Sequence, residues 1–161
     1  MPNQVTRNNH YVPVWYQRGF LELGQSQLHY LDTSPEQKVL TDGRTVTMNA
    51  LHRWGPKNCF YEYDLYSTYF GTMVNDEVEK YLFGSIDVRG AKAVRAFADG
   101  DPCAMHDSFQ DFFEYLDAQK LRTPKGLDWI KSRYPELNQL QLMQEMQGLR
   151  LMHCTMWTEG V

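Results

Sequence analysis

The chain has 161 residues, 42% hydrophobic and 22% charged, which is enough for one folded domain and too apolar for a disordered one. Its formal net charge is −4 at pH 7 and it has no basic run, which excludes a protein that coats nucleic acid through a positive surface. No segment approaches the roughly 18 apolar residues of a membrane span, and residues 1–20 lack the apolar core of a secretory signal. The cysteines lack zinc-ligand spacing, so we expect reduced thiols, a cytoplasmic location and no metal.

The first third of the chain predicts short strands and loops. Residues 27–32 alternate enough for a strand and follow a turn signal, so 21–32 is predicted to be a β-hairpin. A polar, Pro-containing loop is expected over 33–43, and a second short strand over 44–48. Residues 49–69 are rich in aromatic rings without a steady period, which is typical of an irregular loop packed over a core.

Helical periodicity dominates the rest of the chain. Apolar residues at helical spacing predict a helix over 74–98, and Gly100 is a suitable stop signal. A continuous apolar stripe predicts a second helix over 106–121. Thr123 can cap a third helix, and Pro124 can occupy its first position.

A fourth helix is expected to begin near Leu140 and to run close to the chain end. Its methionines either belong to the core or form an exposed surface for a homodimer: Met143, Met146, Met152 and Met156. The whole pattern predicts an α+β, helix-dominated fold in a single domain over 1–161. A small β-hairpin or strands in 1–70 would precede an array of about four helices in 71–161.

Two separated segments contain the residues most suited to recognition. The first lies near the N-terminus and contains His10, Tyr11, Tyr16 and Arg18. The second lies on the second predicted helix, where four residues at steps of three and four share one face: Phe112, Tyr115, Gln119 and Arg122. This face changes from apolar to polar toward the C-terminus of the helix, which is typical of the wall of a binding cleft.

The sequence H-Y-V-P at 10–13, followed by Tyr16 and Phe20, and the sequence R-T-P at 122–124 together resemble an uncharacterised, mainly bacterial family, domain of unknown function forty-two thirty-eight. Between them, N-C-F-Y at 58–61 resembles an aromatic element of that family, and the segment from Val78 to Asp87 resembles its long helix with spaced carboxylates. The order agrees over 8–135. Family members are longer, so the resemblance implies that a site completed by their second half would be incomplete within these residues. It implies no activity.

Each candidate residue has a functional and a structural interpretation. His10 is suited to act as a general acid or base, or as a hydrogen-bonded residue that fixes the N-terminal segment. Tyr11 and Tyr16 could orient a ligand or bury their rings. Arg18 and Arg122 are suited to carboxylate or phosphate recognition. Alternatively, Arg122 contacts the last helix carbonyls or pairs with one of two nearby acids, Asp117 or Glu79.

Two further sets of residues are weaker candidates. Glu79 and Asp87 lie about two helical turns apart and could hold a divalent ion or divide acid and base roles. More commonly such carboxylates are solvated or pair with an arginine. A ββα-metal nuclease would need His10 together with Asn49 and His52, and the segment around His52 is too short for the required helix. The sequence leaves the cofactor open and contains no P-loop and no GxGxxG, GxSxG or HExxH motif.

Three hypotheses for function follow. The first is a binding or interaction module with an aromatic cleft, in which Arg18 and Arg122 hold an anionic small molecule or protein partner. The second is a hydrolase of nucleic acid or nucleotides, in phage defence, with His10 as general base and Arg122 as phosphate clamp. The third is structural, and in it the N-terminal motif closes the core.

Overall fold

The computed structural model describes residues 7–70 and 73–159. The prediction that residues 1–20 carry no secretory signal therefore falls partly outside the described residues. Helices make up 54% and strands 16% of the structure, and the short strands precede the main helices. These proportions confirm the α+β, helix-dominated class. The strands are β1 (Asn8–His10), β2 (Leu28–Leu31), β3 (Gln37–Val39), β4 (Thr45–Thr47), β5 (Leu51–Trp54), β6 (Tyr61–Tyr63), β7 (Thr68–Phe70) and β8 (Met73–Asn75).

The α-helices become longer after the last strand. A short 3-10 turn (Pro56–Asn58) lies between β5 and β6, and a π-helix (Val78–Phe83) follows β8. The α-helices are α1 (Val14–Arg18), α2 (Gly84–Asp99), α3 (Pro102–Asp107), α4 (Phe109–Leu121), α5 (Pro124–Arg133) and α6 (Gln139–Glu159).

The described chain divides into two compact units. The first comprises the described residues up to Pro13 and from Tyr61 onward, and the second is Val14–Phe60.

The second unit is built around one long β-hairpin, residues 28–54, which we call the hairpin arm. In it β2 pairs with β5 and β3 pairs with β4, both antiparallel. Two backbone hydrogen bonds connect the ladders: Asp32 N–H donates to the Ala50 carbonyl at 2.7 Å, and Met48 N–H to the Glu36 carbonyl at 2.9 Å. The arm turns between β3 and β4, where Gly43 has a φ of +83°.

The hairpin arm confirms some strand predictions and corrects others. The strands predicted at 27–32 and 44–48 are confirmed as β2 and β4. The hairpin predicted over 21–32 is wrong, because β2 pairs with β5 rather than with the residues just before it. The loop predicted over 33–43 contains β3, and 49–69 contains strands where an irregular loop was expected. Whether these residues form strands depends on pairing with distant parts of the chain, and local sequence patterns do not show that pairing.

The first unit contains the π-helix, helices α2 to α6 and two short antiparallel ladders, β1 with β6 and β7 with β8. Helix α2 lies against α4, and Gly90 of α2 packs directly on the ring of Tyr115. The rings of Phe97 and Phe112 stack with their centroids 3.8 Å apart. The main core cluster is formed by residues from β6–β7, the π-helix and helices α4 to α6: Tyr66, Phe83, Leu121, Leu127, Ile130, Leu142, Met143 and Met146.

The helix signals read from the sequence are mostly confirmed. Gly100 ends α2 with a φ of +69°, in the left-handed region that favours glycine. Thr123 caps α5, and its hydroxyl accepts a hydrogen bond from Gly126 N–H at 3.0 Å, with Pro124 in the first position. The stretch predicted as a helix over 106–121 is divided, because Ser108 separates α3 from α4.

The predicted start of the first long helix is wrong. Residues 73–75 form β8, and the chain then enters the π-helix before continuing as α2. The Gly84 N–H donates to the Glu79 carbonyl five residues earlier, which is the hydrogen bond that defines a π-helix. Apolar residues four apart, such as Val78 and Leu82, fit this geometry as well as an ordinary α-helix.

The methionines of α6 divide between core and surface. Met143 and Met146 are buried, whereas Met152 and Met156 are 51% and 65% exposed. A homodimer through this helix stays a prediction, and the exposed side chains of Met152 and Met156 are the surface that it would use. Among the described residues, none of the helices combines the length and apolar character needed to cross a bilayer.

Candidate functional site

The two motif segments meet in the first unit. The side chain of Gln119, near the end of α4, donates to the Tyr11 carbonyl at 2.6 Å. Asn9 of β1 is fully buried, and its side-chain oxygen accepts a hydrogen bond from Tyr66 N–H at 3.2 Å. The Tyr66 hydroxyl in turn donates to the Arg122 carbonyl at 2.5 Å. The N-terminal motif and the end of α4 therefore belong to one hydrogen-bonded network.

Arg122 is the centre of this network and is 1% exposed. Its Nε and Nη2 donate to the Gln119 side-chain oxygen at 3.0 and 2.7 Å. Its Nη1 lies 2.9 Å from Oδ1 of Asp87 on α2. That oxygen is shielded from solvent, and no hydrogen bond of good N–H···O geometry reaches it from the described residues, although the guanidinium lies close enough to lower the pKa of Asp87.

Aromatic rings and a second acid complete the surroundings of the guanidinium. The ring centroids of Phe83 and Tyr115 lie 5.3 and 5.8 Å from Cζ of Arg122, within the range of cation–π attraction. Glu79 comes from the π-helix, and its Oε2 is also shielded from solvent without a hydrogen-bond donor among the described residues. We call Arg122 with Gln119, Asp87 and Glu79 the Arg122 site.

The two acids of the Arg122 site have raised pKa values. The pKa of Glu79 is raised from 4.5 to about 7, mainly by burial. Arg122 acts against this rise, and the charges of Asp87 and Asp76 add to it. Burial also raises the pKa of Asp87, against the lowering effect of the Arg122 guanidinium. Near neutral pH the site therefore exchanges a proton at Glu79, next to a positive charge that is permanently present.

This arrangement is more than a simple helix-end contact. A buried charge is costly unless it is paired and hydrogen-bonded, and hydrophobic residues of similar volume often serve stability as well. Perturbed carboxyl groups grouped around an arginine are common at functional sites, although structural ion-pair networks also produce them. The site combines a buried guanidinium, a group suited to carboxylate and phosphate oxygens, with a carboxyl group whose pKa of about 7 allows it to take up or release a proton near neutral pH.

The predicted site residues fall into two groups. Tyr11, Gln119 and Arg122 are joined in the network, to which Tyr11 contributes its backbone carbonyl. His10 is half-buried and its ring packs on Tyr61, with centroids 5.5 Å apart. Tyr16 and Arg18 lie on α1 in the second unit, and Tyr16 is 36% exposed.

Tyr16 packs against its neighbours along the chain. Its ring lies edge-on to Trp15 and to Phe20, with centroids 5.6 and 5.4 Å apart. In the hairpin arm His52 is part of β5 and stacks on Tyr30, so the helix that a ββα-metal nuclease would need is not present at this position. Among the described residues, no three His, Cys, Asp or Glu side chains are grouped as metal ligands.

Sequence reasoning missed two features of the first unit. Tyr66 connects the two motif segments, and nothing in its sequence context indicates this. A second charged network joins three helices: Arg89 of α2 donates to Asp111 and Glu114 of α4 at 2.9 and 2.5 Å, and Arg150 of α6 donates to Glu114 at 2.5 Å. Helical periodicity places Arg89 and Glu114 on their helices but does not pair them.

Comparisons with known proteins identify no relative of this chain. A scan against protein-family models, a search of curated proteins and a search of solved structures each found no match for the chain. The resemblance to domain of unknown function forty-two thirty-eight stays a prediction.

Proposed function

We propose that the protein is a binding module for an anionic ligand or partner and that Arg122 takes up a carboxylate or phosphate group of that ligand. The main support is the way in which the guanidinium is held. Gln119 accepts two of its N–H bonds, whereas Asp87 neutralises it without a directed hydrogen bond. A guanidinium presents five donors in a planar fork that matches carboxylate and phosphate oxygens. In this proposal the Asp87 carboxylate occupies, in the ligand-free protein, the position that the ligand's acidic group takes on binding.

The exposed side of the site supports entry next to Asp87. The Asp87 side chain keeps 23% of its surface exposed, compared with 1% for Arg122. A ligand anion that displaces Asp87 exchanges one negative charge for another, so Arg122 is never left buried and unpaired. The replacement of a misaligned charge contact by aligned hydrogen bonds favours the ligand.

Glu79 makes the proposed binding dependent on pH. A proton on Glu79 removes a negative charge close to Arg122, and its pKa of about 7 places this change near neutrality. Anions should therefore bind better at pH 6 than at pH 8. By linkage, a bound anion should raise the pKa of Glu79.

Thermal unfolding in sulfate tests the proposal, because the charge of sulfate does not change between pH 6 and pH 8. The protein is compared in sodium sulfate and sodium chloride at equal ionic strength. We expect sulfate to stabilise the protein more at pH 6 than at pH 8. Asp87→Asn should strengthen the sulfate effect, because it removes the competing carboxylate.

Two arginine variants provide the control. Sulfate stabilises folded proteins in general, so the difference between variants is the result that counts. Arg122→Lys keeps the charge and removes the planar fork, so it should lose the pH-dependent part of the stabilisation. Arg89→Lys, in the second charged network, should keep it. An equal sulfate response in the wild type, Arg122→Lys and Asp87→Asn would show that the proposal is wrong.

Two finer expectations accompany this proposal. Membership of the bacterial family is supported by the contact between its two motif segments through Tyr11 and Gln119. A reducing, cytoplasmic location is supported by the cysteines, all within the described part of the chain, which form no disulfide with one another. The thiol of Cys103 is exposed.

A further inference from the structure

The hairpin arm of the second unit has an open backbone edge along β4. Every residue of β3 and β4 is exposed, and Val46 keeps 44% of its surface exposed. Within the described residues, β3 is the strand that pairs with β4, and no second strand lies on its other side. Proteins usually protect such an edge with Lys, Pro or a covering segment. The sequence Thr45-Val46-Thr47 contains neither a charge nor a Pro.

Hydrogen bonds at both ends of the ladder show which groups face this edge. Leu40 N–H donates to the Arg44 carbonyl at 2.8 Å, and Met48 N–H donates to the Glu36 carbonyl at 2.9 Å. Along an antiparallel ladder every second residue pair is hydrogen-bonded. Four positions separate these two bonds on each strand, so the central pair of the ladder is hydrogen-bonded as well.

The central pair is Lys38 with Val46. Val46 therefore directs its N–H and carbonyl toward β3. Its neighbours, Thr45 and Thr47, direct theirs away from β3 and toward the open edge. The edge thus presents two residues with outward backbone donors and acceptors, on either side of a residue that presents none.

This edge is complementary to itself. The sequence of β4 reads the same in both directions, so antiparallel pairing with β4 of another copy sets Thr45 of each copy opposite Thr47 of the other. Both of these pairs can exchange their backbone hydrogen bonds. Val46 then faces Val46 in a non-hydrogen-bonded pair, where the Cα atoms are about 4.5 Å apart and side chains pack most closely. Thr–Thr and β-branched pairs of this kind stabilise sheets.

The neighbouring strand lacks this complementarity. The same pairing of β3 about its central residue would set Lys38 opposite Lys38, and like charges directly opposite each other are destabilising. The charge pattern therefore selects β4 over β3 as the pairing edge. It also favours a second copy of the chain over an unrelated strand, because the symmetric match requires no other sequence.

We propose that the protein forms a homodimer in which β4 pairs antiparallel with β4 of a second copy about a two-fold axis at Val46, giving a four-stranded sheet. Sedimentation velocity of the full chain over a range of concentrations should show a reversible dimer. Val46→Lys places two ammonium groups opposite each other and should weaken dimerisation by about tenfold or more. The matched control is Val39→Lys, the same substitution on β3, where the side chain is 73% exposed; it should leave the dimer unchanged.

A cysteine at the axis tests the geometry even if a lysine variant unfolds. In a Cys103→Ser background, Val46→Cys should form an intermolecular disulfide under mild oxidation, because opposite Cα atoms about 4.5 Å apart lie within disulfide range. The same change at Val39 should not. A monomer at every concentration would overturn the proposal, as would equal effects of the two lysine variants. A dimer that Met152→Lys or Met156→Lys abolishes and Val46→Lys does not would instead place the interface on α6.

Discussion

Replacement of Glu79 by Gln should remove a pH dependence of stability. The folded protein holds a proton on Glu79 up to a pKa of about 7, whereas the unfolded chain releases it near 4.5. Between these values the folded state binds more protons, so stability falls as the pH rises from 4.5 to 7 and then levels off. The difference between the two pKa values corresponds to about 3 kcal/mol. Glu79→Gln has no such proton and does not lose this stability.

Urea denaturation at pH 5, 6, 7 and 8 measures the effect. We expect Glu79→Gln and the wild type to be similar near pH 5, and the variant to be more stable by up to about 3 kcal/mol at pH 8. For a chain of this size, that difference corresponds to a rise in Tm of about 6–12 °C. The matched control is Glu136→Gln, the same substitution on an exposed residue after α5, which should follow the wild type. Parallel stability curves for the wild type and Glu79→Gln would refute the assignment of Glu79 as a buried, proton-binding group.

Two further predictions concern the helices, and both are measured by urea denaturation. Gly90→Ala should destabilise the protein by about 1–3 kcal/mol, because the new Cβ would lie 2.6–2.8 Å from three carbons of Tyr115. Gly148→Ala on α6 meets nothing within 4 Å and should stabilise by about 0.5–1 kcal/mol, so an equal response of the two glycines would contradict the packing of α2 on α4. Thr123→Ala should cost about 1 kcal/mol by removing the cap of α5, while Thr123→Ser, which keeps the hydroxyl, should restore most of it.

Features with a local physical cause could be predicted from the sequence. The cap and first position of α5 depend on Thr123 and Pro124 alone, and the end of α2 depends on the left-handed conformation of Gly100. The apolar stripes of α4 and α6 likewise reflect neighbours three and four residues apart. The helix-dominated class followed from these signals.

Features decided by distant contacts could not be predicted. The partner of β2 is β5, some twenty residues further along, and no local pattern distinguishes it from the nearer segment before Gly24. The π-helix over 78–83 keeps apolar residues at spacings that also fit an α-helix, so the sequence does not distinguish it from the start of α2. For such elements the tertiary partner, rather than local propensity, determines the structure.

The candidate site shows the same division. The shared helix face correctly linked Gln119 with Arg122, because these residues lie within one turn of α4. The acid paired with Arg122 is Asp87 on a different helix. The sequence offers Asp117 and Glu79 as partners of Arg122, and for Asp87 it predicts only an arginine that it does not identify. Glu79 is nevertheless part of the site through its charge. The packing of α2 against α4 determines which acid lies next to Arg122, and a single sequence does not show that packing.

An NMR titration of the Glu79 carboxyl carbon, with and without sulfate, tests the central claim most directly. The titration measures the protonation of Glu79, and its dependence on sulfate measures the binding of an anion at Arg122. We expect a pKa of about 7 in chloride and a higher pKa in sulfate, because sulfate places two negative charges where Asp87 supplied one. A pKa near 4.5, or a value that sulfate does not change, would contradict the account of Arg122 as a proton-linked anion site.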